Sequence, residues 1–190
     1  WRIAAKYNYS DTEDEISPDA NATFTEASVG FAYRPFDNNR WNLLGKYTYL
    51  YDLRGLAQTN FGTDQKSQIY TLEGTYRYNP VWEFAAKLGR RTGELRSGRG
   101  IGEFFKSTVN FSALQTRYHI VKQWDALLEF RTLKVVEDNS TRNGWLVGID
   151  RHIGQHFKVG VGYNFTDFSD DLKLTDYEYK GWFINLVGKY

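Results

Sequence analysis

GWFINLVGKY, residues Gly181 to Tyr190, ends the chain on strict alternation: Trp182, Ile184, Leu186, Gly188 and Tyr190 share one face, and Phe183, Asn185, Val187 and Lys189 the other. A period of two is that of a β-strand, whose successive side chains point to opposite sides of the pleat. One strand does not say which face meets which solvent. The second face is mixed rather than cleanly polar, so the decision rests on the rest of the chain.

The pattern recurs upstream. Trp1, Trp41, Trp82, Trp124 and Phe157 each open an alternating strand, at spacings of 40, 41, 42 and 33 residues. The repeating unit is strand, long polar loop, strand, short turn. The junctions PFDNNRW, YNPVW, IVKQW and IGQHF supply the short turns, and between them carry Pro, Asn, Asp and Gly, the usual turn formers. Longer loops run over 11–22, 54–66, 92–104, 137–143 and 167–179. The spacing predicts about ten strands, each near the length of a tilted barrel strand: 1–10, 23–36, 41–53, 68–78, 82–91, 107–120, 124–136, 144–152, 157–167 and 180–190. Short turns on one rim and long loops on the other define an antiparallel up-and-down meander. An even count puts both termini on the short-turn side.

The two faces then separate. One carries Trp1, Ile3, Tyr7 and Tyr9, then Val29, Phe31 and Tyr33, then Trp41, Leu43, Tyr47 and Tyr49, and continues through Leu72, Tyr76, Trp82, Leu88, Leu114, Tyr118, Trp124, Leu128, Trp145, Ile149, Phe157 and Val161. Aromatics stand at the strand ends and aliphatics or Gly fill the middles. That is the girdle arrangement of a transmembrane β-barrel. The opposite face carries Arg2, Lys6, Glu26, Arg34, Lys46, Asp52, Glu73, Arg77, Glu83, Lys87, Arg91, Arg117, Asp125, Glu129, Arg131, Asp150, Lys158 and Lys189. Interleaved signs let these charges pair across a lumen. Basic residues outnumber acidic ones on this face, so any leak through it should prefer anions. A soluble, lipocalin-like barrel would bury the aromatic face instead, but a buried core has no need of aromatics ranked at strand ends.

Composition agrees with this reading. The 190 residues are 41% hydrophobic and 17% aromatic, with 17 Gly against three Pro, which favours strands. Mean hydropathy is −0.59, and no run approaches the roughly 20 apolar residues of a spanning helix. A net charge of +1 argues against nucleic acid as a partner. The absence of Cys excludes a disulfide scaffold or thiolate zinc site. The absence of Met leads to the expectation of a segment upstream of Trp1.

The terminal strand also resembles that of Gram-negative outer-membrane barrels, which commonly end on an aromatic with apolar residues at every second position before it. Trp182, Ile184, Leu186 and Tyr190 match, whereas Gly188 stands where that family usually has a bulky residue. The resemblance implies that these five positions form an insertion signal for the barrel assembly machinery. It also implies an outer-membrane location, with membrane lipids, lipopolysaccharide and other envelope proteins as partners. The strings KVGVGYNFTDFSDDL and RTGELR resemble the C-terminal barrel of large bacterial envelope proteins, which implies an anchor or passage for an upstream region. A small, weakly anion-selective pore is the alternative.

Enzymatic chemistry is not signalled. His119, His152 and His156 all fall at the short-turn rim, opposite the rim an omptin-like protease would use, and no Ser lies two residues from any of them. They read as interfacial or salt-bridging histidines. Acidic loops around Asp11, Glu13, Asp14, Glu15 and Asp19, and around Asp167, Asp170, Asp171 and Asp176, lack the central Gly and final Glu of a calcium loop, so no metal or cofactor is expected. GELRSGRGIG lacks the Lys and Ser/Thr of a phosphate loop and reads as an extracellular loop. Arg90, Arg91, Arg96 and Arg99 cluster near the third long loop, where guanidinium groups at an outer rim would grip lipopolysaccharide phosphates.

Overall fold

The structure, a computed structural model, describes residues 1–13, 22–53, 63–97, 102–121, 123–154, 156–168, 172–173 and 180–188. Ten strands run in chain order: β1 (Arg2–Thr12), β2 (Ala22–Tyr33), β3 (Trp41–Leu53), β4 (Thr63–Arg77), β5 (Trp82–Ser97), β6 (Phe105–Val121), β7 (Trp124–Val135), β8 (Thr141–Ile153), β9 (Phe157–Asn164) and β10 (Gly181–Gly188). They form one sheet in which every neighbour is antiparallel and sequential, an up-and-down order from β1 to β10. The described residues include no helix. Among the described residues β1 pairs only with β2 and β10 only with β9, so the sheet is open.

The short turns are built by Asn and Asp side chains standing in for backbone acceptors. Asn79 Oδ1 accepts the N–H groups of Val81 and Trp82 at 2.8 and 2.7 Å, and Asn38 Oδ1 that of Arg40 at 3.0 Å. On the opposite rim Asp138 Oδ1 accepts the Ser140 N–H at 2.9 Å beside Asn139, whose φ is 54°. The bonded Ser140 N–H holds the Asp138 carboxyl below its usual range.

The expected starts at Trp41, Trp82, Trp124 and Phe157 coincide with those of β3, β5, β7 and β9. Other boundaries move. β4 begins at Thr63 rather than Gln68, and β5 runs to Ser97 rather than Arg91, which draws Thr92–Ser97 out of the expected loop. β8 begins at Thr141, while β2 ends at Tyr33 and β9 at Asn164, earlier than alternation suggests. The β4–β5 ladder is continuous from Thr63↔Ser97 to Arg77↔Glu83, because backbone pairing persists beyond the stretch where the side chains alternate.

The side chains are distributed inside out. On the inner face Leu50, Ile69, Val109, Phe111 and Ala113 are buried alongside Glu26, Thr48, Asp52, Ser67, Arg91, Asp125 and Asp150. On the outer face Trp1 is 82% exposed, Ile3 78%, Leu114 64% and Ile184 81%. One face of a single-layer sheet is buried this way only if the sheet curls around it. Aromatic pairs line the outer short-turn rim in register: Trp41 on Tyr76 with centroids 4.3 Å apart, Trp82 on Tyr118 at 4.6 Å and Trp1 on Tyr33 at 4.6 Å. Toward the other end stand Tyr47–Tyr70, Phe130–Trp145 and Tyr163–Trp182.

Candidate functional site on the inner face

Three layers divide the inner face. At the long-loop end the chain leaving β9 turns inward instead of away. Thr166 is fully buried, and Asn164 Oδ1 accepts its backbone N–H at 3.0 Å. Phe168 and Leu172 then pack with Ile69, Val109, Phe111 and Ala113, flanked by Leu133 and Val135. Polar contacts fasten the same segment to β2 and β5 as well, and to β4 a second time. Gln65 donates to the Lys173 carbonyl at 3.1 Å, Arg91 Nη1 donates to the Leu172 carbonyl at 3.4 Å, and the Lys173 ammonium pairs with Glu26. Phe168 and Leu172 sit in the stretch read from sequence as one of the acidic long loops. Their apolar character, isolated among carboxylates, was the available signal.

The middle layer holds Glu73, Lys87 and Gln115, with Arg131 bonded to Glu129. The small Ala85 and Ala113 side chains leave a cavity of about 170 Å³ among these groups. Lys87 lies 5.7 Å from the Phe111 ring centroid.

The short-turn end is the most highly charged. Glu83 receives Arg117 at 2.8 Å and Arg77 at 3.7 Å. Next to it, Asp125 at the start of β7 is clamped by two imidazoles: His119 Nδ1 of β6 lies 2.5 Å from Oδ1, and His152 Nε2 of β8 2.9 Å from Oδ2. Lys158 of β9 stands 3.4 Å from Asp125 and 2.6 Å from Asp150. Asp150 is directly opposite Gly160, and a Cβ there would collide with its carboxylate, so the missing side chain makes room for the Asp150–Lys158 pair. Sequence reading placed all three histidines at this rim but did not bring two of them onto one carboxylate. The signal was parity: His119 is in phase with Arg117, and His152 with Asp150.

Among the other expected lumen charges, Lys6 pairs with Glu26 at 3.1 Å and Asp52 is buried. Arg2 and Lys46 are exposed, and Arg34 lies past the end of β2 in the first short turn. Lys189 falls outside the described residues.

The arginine cluster does not assemble as one group. Arg90 is exposed on the outer face opposite Tyr70, whereas Arg91 is buried inside, with Nη2 on Ser107 Oγ at 3.2 Å. Arg91 is therefore an inner-face residue, because adjacent positions on a strand point to opposite faces. Arg96 is committed to the buried Asp64 at 2.5 Å and lies over the Phe104 ring. Arg99 is outside the described residues.

On β10, Trp182, Ile184 and Leu186 are strongly exposed on the outer face, opposite Tyr163, Val161 and Val159. Gly188 pairs with Phe157 and has open space where a side chain would stand. Tyr190 lies outside the described residues. No protein-family model matches this sequence, and a search of curated proteins finds no significant match.

Proposed function

We propose that this chain is an outer-membrane β-barrel that anchors an envelope protein in the bilayer, with its lumen blocked rather than open. The observation that carries the reading is the inverted distribution of side chains. Glu26, Asp52, Arg91, Asp125 and Asp150 are at most 6% exposed, while Trp1, Ile3, Leu114, Trp182 and Ile184 are at least 64% exposed. Water penalises a continuous apolar band of this extent, and acyl chains do not. Ranked aromatics at both ends of the band suit the two membrane interfaces.

Closure completes the proposal. Ten strands in up-and-down order leave β1 and β10 antiparallel, the orientation in which their free edges can pair. Pairing satisfies peptide groups that lipid cannot. The segment after β9 supports the blocked lumen, since it is fixed to β2, β4 and β5 from within. A second reading, a small and weakly anion-selective pore, draws on the cavity between Glu73, Lys87 and Glu129.

Purification and gel migration test the membrane reading. The chain should need detergent to stay in solution and should run differently unheated than boiled. A freely soluble monomer would replace this reading with the lipocalin-like one.

A further inference from the structure

We propose that His119, Asp125 and His152 form a binding site for a divalent transition-metal ion of the zinc class. Three adjacent strands supply the three ligands. His119 and Asp125 face each other across the β6–β7 hairpin, and Asp125 faces Asp150 on β8, two residues before His152 on the same face. Backbone bonds fix both histidines at the rim. The His119 N–H donates to the Val81 carbonyl at 2.8 Å, and the His152 N–H to the Gln123 carbonyl at 2.7 Å.

The donor set decides the kind of ion. Two imidazole nitrogens and one carboxylate oxygen suit zinc, cobalt, nickel or copper, whereas calcium and magnesium take oxygen ligands. The three ligand atoms lie within 4.8 Å of one another. Ligands held about 2.1 Å from a tetrahedral ion stand about 3.4 Å apart, so the two histidine–carboxylate contacts must open by under about 1 Å, which small ring rotations supply. The two histidine side chains are 36% and 40% exposed, which leaves an approach from solvent and a coordination position for water. A carboxylate only accepts, so an ion bound at the two ring nitrogens replaces the contacts they make to Asp125.

Lys158 distinguishes a metal site from a plain salt bridge. Its ammonium competes with an ion for Asp125, and Asp150 draws it aside at 2.6 Å. Removing the ammonium weakens a purely structural cluster but strengthens a cation site. The inference goes beyond the anchor reading and depends only on the register of β6 to β9.

Cobalt chloride titration by visible absorption, and zinc chloride titration by calorimetry, on the full chain refolded in detergent test the site. One equivalent should bind, with zinc displacing cobalt. His119→Ala and His152→Ala should each lower affinity by about 100-fold or more, and Lys158→Gln should raise it about tenfold. Circular dichroism checks folding of each variant. The absence of saturable binding to the folded wild-type chain, or full affinity in a folded histidine variant, overturns the proposal. Should the histidine variants fail to fold, Lys158→Gln decides: tighter binding supports the site, and unchanged or weaker binding overturns it.

Discussion

Lys173, beyond β9, is ion-paired with Glu26 on β2, so residues from nearly opposite ends of the strand order meet on the inner face. A flat ten-stranded sheet keeps such residues far apart, because neighbouring strands are separated by about 4.8 Å. The contact therefore reports both the curl of the sheet and the inward path of the chain after β9.

Planar-bilayer recordings should accordingly give no current or a small, mildly anion-selective one from the wild-type chain. Phe168→Ala with Leu172→Ala removes the apolar grip, each truncation costing about 2–5 kcal/mol of packing, and conductance should rise. Unchanged currents in the double variant, with the fold intact, would mean that the segment does not block the lumen.

Position across the bilayer should govern tolerance of charge. Leu114→Arg, on the outer face at mid-height, should cost about 2–4 kcal/mol when folding is measured in lipid vesicles, against about 0–1 kcal/mol for Tyr118→Arg at the rim. Equal costs at the two depths, or a negligible cost at Leu114, would remove the argument for an acyl-chain belt.

Phe183 lies across a patch kept bare for it. A Cβ at Gly162, its direct register partner, would come 2.4 Å from the Phe183 ring and 2.5 Å from the Val147 carbonyl oxygen, and one at Gly148 would touch the ring. Gly162→Val should therefore destabilise the β8–β10 region by about 1–3 kcal/mol, read as a lower urea midpoint. Phe183→Ala in the same chain should recover part of the loss. Additive losses in the double variant would show that the two positions do not compete for space.

Delivery and stability should separate at the C-terminus. Deleting Tyr190 leaves the Gly181–Gly188 ladder in place, so detergent refolding should persist while outer-membrane levels fall. Asn185→Ser, on the inner face, should be much milder. Normal insertion without Tyr190 would reduce that aromatic to one more member of the girdle.

Much of this architecture can be read from the residues alone, because a strand whose two faces meet different surroundings must alternate. Trp41, Trp82, Trp124 and Phe157 mark strand starts for that reason. The extensions at Thr63–Ser67 and Thr92–Ser97 escape notice because apolar alternation fades in TDQKS and TGELRS even though backbone pairing continues. Local pattern also carries little information about Phe168 and Leu172, whose burial depends on strands far away in sequence. The same holds for His119 and His152, which share Asp125 only once three strands are in register.

The unpaired edges of β1 and β10 make the order of events during assembly matter. While they stay apart, each chain presents two rows of peptide donors and acceptors that a neighbouring molecule could satisfy equally well, and intermolecular zipping scales with concentration while self-closure does not. Under the proposed closure, productive assembly is thus a race between ring formation and polymerisation. Dilution, or an escort that covers one edge in transit, tips it toward the ring.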